Sequence, residues 1–279
     1  MKVIYVIYNE WSKEQREVLS LAGISVESGF SRIEVEENEK NRPILDLIDQ
    51  WGIRKSVGTL YDKKDLDKSE LFAFIGVWEY GYPQPEDDFG YMNVTYNLMD
   101  YCKECGIGAV QKAPFQIKKQ PQWGKKFLFE LNWVMDEIFM SREAYDHLFK
   151  KYGISRRPVL LYRKNVELDD TFQLDIPFVE VPLDLKDHPF EECKVCGRKK
   201  YNPQVKGYFP GFTKAVTPLA IFKSREYFGS GGQAFNRIFI VKELFEEIKK
   251  KGVRINVAPV DPVYRIGQYL KLSGFKKQV

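Results

Sequence analysis

Histidine is the scarcest functional residue in this chain, with only His147 and His188 among 279 residues. Serine and cysteine hydrolases in their usual forms need a histidine base beside the nucleophile, so that chemistry is improbable here. An open catalytic zinc site commonly takes histidine or carboxylate ligands plus water, and it is disfavoured for the same reason. His147 stands among Asp146, Lys150 and Lys151 and reads as solvent-facing. His188, five residues before Cys193, could replace one thiolate ligand or donate to it from outside. Charge of one sign is missing too: 43 basic and 39 acidic residues leave a formal net charge of only +4. Binding to nucleic acid through a clustered basic stripe is therefore not indicated. No apolar run approaches the roughly 18–20 residues that span a bilayer. The opening Met1–Glu10 stretch turns polar too early for a secretory signal. A cytoplasmic protein with reduced thiols is expected.

Cysteine is nearly as scarce, and its placement is informative. All four residues fall in two turns, Cys102-Lys103-Glu104-Cys105-Gly106 and Cys193-Lys194-Val195-Cys196-Gly197. A C-x-x-C turn brings two sulfurs within reach of one cation. The following glycine lets the backbone take a positive φ. Two such turns supply four thiolates, the ligand set of a closed tetrahedral zinc site. About ninety residues separate the pairs, far beyond the spacings of zinc fingers and ribbons. The expected cofactor is one structural Zn²⁺ on Cys102, Cys105, Cys193 and Cys196, clamping distant parts of the fold. Other readings stay open. Four thiolates also suit an iron–sulfur centre. A redox pair needs a strand-to-helix junction, and none is evident after Met99-Asp100-Tyr101. Four reduced cysteines in plain turns is the simplest alternative.

What the chain has in quantity is aromatic residues, 15% of the total, beside 44% hydrophobic and 29% charged residues. That is the composition of a folded protein with a sizeable core. The predicted fold class is α+β. A small N-terminal α/β segment spans residues 1–76 and is followed by two related halves, 77–165 and 166–279. Within the first segment, Val3–Tyr8 predicts a strand, and Ser12-Lys13-Glu14-Gln15 has the form of a capping box opening a helix to about Ala22. Val26–Val35 holds a second strand, Pro43 opens a helix ending at Gly52, Asp62 caps a short helix, and Phe72–Trp78 reads as a buried strand. Further on, Asp136–Tyr145 resembles Asn236–Phe245. Each stretch reads as strand then helix, ends near a glycine (Gly153, Gly252) and is followed by an apolar strand. Each is preceded by its own C-x-x-C-G turn, which predicts two halves of the form knuckle, loop, strand, helix, strand.

Two distant CxxCG motifs, each ahead of a strand–helix–strand unit, resemble the bacterial double-CxxCG-motif proteins. The resemblance rests on Cys102, Cys105, Cys193, Cys196, Gly106 and Gly197. The stretches Val241–Phe245 and Gly252–Val260 are similar as well, so that it covers roughly the C-terminal two-thirds of the chain. Some members of that group look like immunity proteins encoded beside polymorphic toxins. The resemblance thus implies a non-enzymatic binding role with a toxin-like protein partner, and it brings no catalytic residues.

Three further motifs carry weaker signals. Gly229-Ser230-Gly231-Gly232 could cradle an anion, but it lacks the P-loop ending and does not fit G-x-G-x-x-G. A turn before a strand at Phe235–Ile240 is the better reading. Glu86, Asp87 and Asp88 lie in a Pro-rich loop with Tyr80 and Tyr82. Carboxylates adjacent in sequence seldom converge on one point, and rigid rings beside polar residues suit a protein-binding surface. Trp123, Phe127, Phe129, Leu131 and Trp133 read as core packing, with Phe127, Phe129 and Leu131 on one strand face. The neighbouring Lys118, Lys119, Lys125 and Lys126 would also permit a single-strand nucleic-acid platform. The favoured function is a cytosolic, zinc-stabilised binding protein. The alternatives are a zinc-containing nucleic-acid-binding protein and an enzyme using the Glu86–Asp88 or Gly229–Gly232 loop, which a deep cleft joining the two loops with convergent carboxylates would favour.

Overall fold

A run rich in β-branched and aromatic residues, Lys2–Trp11, forms the first strand, β1, and buries Ile7 and Trp11. The computed structural model describes residues 1–216 and 219–261. They divide into two units: 1–68 with 204–208, and 69–203 with 209 onward. The end of the expected 166–279 half, beyond Asp261, lies outside the described residues.

In the first unit, β1 is followed by α1 (Lys13–Leu21), β2 (Gly29–Glu36), α2 (Arg42–Gln50), β3 (Lys55–Leu60) and α3 (Lys63–Lys68). The capping box forms as expected. Ser12 Oγ accepts from the Gln15 N–H at 3.2 Å, and Gln15 Oε1 accepts from the Ser12 N–H at 3.0 Å. Pro43 sits in the first turn of α2, where its missing N–H costs nothing. β1 is central and runs antiparallel to both neighbours, in the order β2-β1-β3. Leu19 of α1 and Ile44, Leu45 and Ile48 of α2 cover Ile7, Trp11 and Ile33 of the sheet. The segment 204–208 ties onto this unit. Tyr61 donates to the Gly207 carbonyl at 2.5 Å and Tyr208 to Asp65 at 2.9 Å. β3 has no counterpart in the sequence expectation, because Lys55-Ser56-Val57-Gly58-Thr59-Leu60 is too polar to signal a strand by itself.

The second unit holds two larger sheets. The five-stranded sheet has the order β7-β10-β11-β9-β8, from β7 (Gln116–Ile117), β8 (Leu128–Leu131), β9 (Val134–Met140), β10 (Ser155–Leu161) and β11 (Val166–Asp175). The six-stranded sheet has the order β12-β13-β14-β15-β4-β16, from β4 (Leu71–Gly76), β12 (Phe190–Glu192), β13 (Lys199–Tyr201), β14 (Ile221–Phe228), β15 (Phe235–Val241) and β16 (Asn256–Pro259). A short ladder joins β5 (Tyr96–Asn97) to β6 (Val110–Gln111). The helices are α4 (Tyr91–Thr95), α5 (Arg142–Ala144), continued by a π turn and a 3₁₀ turn to Tyr152, and α6 (Lys242–Lys250). The fold is thus a mixed α and β structure with six α-helices among the described residues. β4, placed with the N-terminal segment by the sequence, belongs instead to the second unit. It is inserted between β15 and β16.

Both expected strand–helix–strand stretches are present: β9, α5 with its continuation, and β10; then β15, α6 and β16. Their surroundings match in register. β11 pairs Phe172 with Met140 and Gln173 with Phe139, while β4 pairs Phe72 with Ile240 and Ala73 with Phe239. β8 sets Phe129 opposite Phe139, and β14 sets Phe222 opposite Phe239. The two cores share one stacked and one edge-on ring contact, and Phe239 adds a further edge-on contact with Phe212 at 4.9 Å. Phe139 stacks on Phe129 and meets Phe115 edge-on at 5.3 Å. Phe239 stacks on Phe222 and meets Phe209 edge-on at 5.5 Å. The six rings of the shared contacts are fully buried, each worth about 1.5–3 kcal/mol of transfer free energy. β8 is buried on both faces from Leu128 to Leu131, so the expected one-faced alternation there is not realised.

Candidate metal centre

The chain returns on itself at each C-x-x-C turn by the same two backbone bonds. The Gly106 N–H donates to the Cys102 carbonyl at 2.8 Å, and the Cys102 N–H to the Ile107 carbonyl at 2.8 Å. At the second turn the Gly197 N–H donates to the Cys193 carbonyl at 2.8 Å, and the Cys193 N–H to the Arg198 carbonyl at 3.0 Å. Both glycines have positive φ, +80° and +69°. Gly106 is required by space as well: a Cβ there would lie 2.3 Å from the Gly232 carbonyl oxygen.

The two turns meet. Cys102 Sγ lies 3.8 Å from Cys193 Sγ, and Cys105 Sγ lies 3.6 Å from Cys196 Sγ. All four sulfurs lie within 4.8 Å of one another, and none is in a disulfide. A tetrahedral ion at thiolate bond lengths of about 2.3 Å would set its sulfurs about 3.8 Å apart, so the quartet fits a metal site. Ile107, Tyr227 and Ala234 pack around it.

The electrostatics of the quartet are uneven. Burial pushes the Cys105 thiol up to about 12. Arg198, donating from Nε to Cys196 Sγ at 3.4 Å, pulls that thiol down to about 6. A bound cation is what would let four neighbouring thiols ionise together. Arg198 also reaches back to Asp100, through its carboxylate at 3.1 Å and its carbonyl at 2.7 Å, and so ties the second turn to the segment before the first.

The glycine-rich loop buttresses this centre. The buried Lys200 ammonium donates to the Cys105 carbonyl at 2.9 Å, to the Gln233 carbonyl at 3.2 Å and to the Gly231 carbonyl. Such a loop turns carbonyls inward to one lysine, which accounts for its glycines without a bound anion. His188 is not among the clustered ligands. Its Nε2 lies 2.7 Å from the Asn202 carbonyl and its ring packs between Tyr201 and Phe228. His147 is exposed on the π turn, with Nδ1 2.9 Å from the Glu143 carbonyl.

Beside the centre lies a cleft of about 690 Å³. Its walls include Asp88 and Phe89 from the acidic loop, Gly232 and Gln233 from the glycine-rich loop, and Tyr91, Tyr96, Tyr101, Trp133, Asp136 and Tyr227. It therefore touches both loops singled out in the sequence. Glu86 and Asp87 do not line it, so the acidic loop brings only Asp88 to it, and the convergent carboxylates of an enzyme site are not assembled from that loop. Trp133 departs from its expected core role. It occupies the two-residue turn between β8 and β9 at φ +70°, is 39% exposed, and packs with Tyr82 at 4.4 Å and Phe89 at 4.5 Å. Tyr80 packs on Phe129 and Trp78 instead, and its hydroxyl meets the Lys119 carbonyl at 3.2 Å. Glu86 is engaged by Lys118 and Gln84, while Asp87 and Asp88 are exposed. Of the four lysines near the aromatic run, Lys118 is thus paired with Glu86, and Lys126 lies 3.8 Å over the Trp78 ring.

One buried ion pair and a second buried acid and base that interact only through their fields have no signature in the sequence. Lys223 of β14 donates to Glu137 of β9 at 2.6 Å, both nearly sealed from water, and Gln173 holds the second carboxylate oxygen at 2.9 Å. Arg237 of β15 and Glu130 of β8 feel each other's charge. Burial pulls Arg237 down to about 10 and pushes Glu130 up to about 7. The Arg237 guanidinium donates to the Phe74 carbonyl at 2.8 Å, and Glu130 accepts from the Val77 N–H at 3.0 Å. Among the described residues no helix is long and apolar enough to cross a membrane. No known family model matches the chain, and neither any curated protein nor any solved structure is significantly similar to it.

Proposed function

We propose that this chain is a zinc-stabilised binding protein of the cytoplasm. Its second unit would consist of two copies of one strand–helix–strand unit that exchange their leading strands and share a single Zn²⁺ at their junction. The observation that carries the metal is the quartet of sulfurs from two distant turns at tetrahedral spacing. Four thiolates complete the coordination shell and leave no position for a reacting water, so the metal's role is structural. Zinc is preferred to an iron–sulfur cluster because a single tetrahedral ion accounts for sulfur contacts this short. The exchange of strands is supported by the matched registers of β11 on β9 and β4 on β15.

Recognition would use the exposed rings Tyr82, Phe89 and Trp133, flanked by Asp87 and Asp88, because clustered rigid rings bury large areas at small entropic cost. The resemblance of the two cysteine turns to double-CxxCG proteins makes a toxin-type protein the partner of choice, held by occlusion.

Elemental analysis with thiol titration tests the metal. The expected result is about one zinc per chain and four thiols protected until denaturation. Iron with visible absorption would overturn zinc, and metal-free, freely titrating thiols would overturn the clamp. Cys196→Ser is expected to lose the metal and lower the melting temperature, since metal affinity is coupled to folding. For recognition, co-expression with the product of a neighbouring toxin-like reading frame should give a complex that Trp133→Ala weakens at least tenfold, as a hot-spot ring would.

A further inference from the structure

The cleft beside the metal centre has a composition that selects for one class of ligand. Its walls are rich in aromatic side chains, among them Tyr91, Tyr96, Tyr101, Trp133 and Tyr227. Two carboxylates, Asp88 and Asp136, line it against a single cation, the exposed Lys103. Asp136 is placed by strand alternation: its neighbour Glu137 points to the other face of β9 and is neutralised there by Lys223, while Asp136 faces the cleft. Its Oδ2 accepts one bond, from the Asn236 N–H at 3.2 Å; no basic side chain forms an ion pair with it among the described residues, although its charge is felt by Lys223 and Arg237. Its charge reaches the surrounding phenols. Tyr91, Tyr96 and Tyr227 are all raised, first by burial, with the Asp136 carboxylate contributing in each case.

The rim is also held in costly backbone. Asp88, Phe89 and Trp133 all take positive φ, +50°, +54° and +70°. Positive φ in non-glycine residues costs on the order of 1–3 kcal/mol each and tends to persist where side chains must be presented in a particular way. Here it turns Phe89 and Trp133 toward the mouth of the cleft. A volume of about 690 Å³ is that of an ordinary small-ligand site.

We propose that this cleft binds an organic cation, an ammonium carrying an apolar or aromatic body, with the cationic head against Asp136 and the ring faces of Trp133 and its tyrosine neighbours. Ring faces attract cations through their quadrupole, and a nearby carboxylate supplies the counter-charge. An anion would meet two carboxylates, and a neutral flat molecule would leave Asp136 with only the more distant charges of Lys223 and Arg237 and no cation paired directly with it. The inference deepens the recognition reading above, since it gives the chemistry that the aromatic rim would accept.

The test is titration calorimetry on the purified full chain, with phenyltrimethylammonium as the probe and tert-butylbenzene as its neutral isostere. The expected result is saturable one-to-one binding of the cation, with the isostere weaker by about tenfold or more. Asp136→Asn should lower affinity for the cation by about tenfold while leaving the isostere unchanged. Trp133→Leu, at an exposed position, should weaken both probes and serves as the second variant should Asp136→Asn fold poorly. Absence of saturable cation binding, equal binding of the isostere, or an unaffected Asp136→Asn would each overturn the proposal. Metal content and melting temperature measured on the same samples keep the two readings apart. A zinc-loaded, folded chain that ignores the cation but still forms the protein complex weakened by Trp133→Ala sinks only the ligand. One that forms no such complex sinks the recognition reading, and a metal-free chain sinks the clamp whatever the titration shows.

Discussion

At the scale of single residues, Glu130 carries a distinct dependence on pH. Burial raises its carboxyl from the ordinary 4.5 to about 7. The folded protein therefore binds a proton that the unfolded chain has already released across that window. Its contribution to stability is fully present below about pH 4.5 and is lost as pH rises through about 7. The span corresponds to on the order of 3 kcal/mol. Denaturant unfolding from pH 4.5 to 8 should show this decline, and Glu130→Gln should flatten it. An unchanged slope in that variant would show that another group carries the titration.

At the scale of elements, the two aromatic clusters make a quantitative claim. Phe139 and Phe239 are each fully buried with one stacked and one edge-on ring partner, so Phe139→Ala and Phe239→Ala should each cost about 3–5 kcal/mol. If chemical denaturation gave one a large cost and the other a negligible one, the two clusters would not be equivalent. The helices and strands of the first unit were largely legible in the sequence, because Ser12, Gln15, Pro43 and Gly52 act on their immediate neighbours. The cysteine quartet was legible for the same reason: each half of it is a four-residue motif. Trp133 was misplaced because its exposure depends on a two-residue turn that composition does not reveal. β4 was misassigned because its apolar sequence specifies a buried strand but not which strands receive it. The pairings of Lys223 with Glu137 and of Asp136 with the Asn236 N–H depend on register between distant segments, and no local pattern encodes that.

For the molecule as a whole, the distribution of buried charge decides which pairings are allowed. Among the described residues, the buried Glu130 and the nearly sealed Glu137 come from the earlier strands β8 and β9. Their basic counterparts, Lys223 and Arg237, come from the later strands β14 and β15. Two earlier segments brought together from different copies would set acid against acid without Lys223 or Arg237, at a cost of several kcal/mol. Lys223→Met should destabilise the chain by about 3–5 kcal/mol by stranding Glu137, while the double variant with Glu137→Leu should recover most of that loss. A double-mutant cycle by urea denaturation reads the coupling directly.

The position of β4 carries a consequence for synthesis. Leu71-Phe72-Ala73-Phe74, buried in the finished sheet, leaves the ribosome long before β15 and β16 on its two flanks have been translated. At about 5–20 residues per second, some 10–30 s pass with this apolar segment lacking both of its neighbours. During that interval it is an adhesive strand on a nascent chain. Recovery of folded protein should therefore depend on translation rate and on chaperones that shield short hydrophobic stretches, even though the completed molecule keeps that strand out of sight.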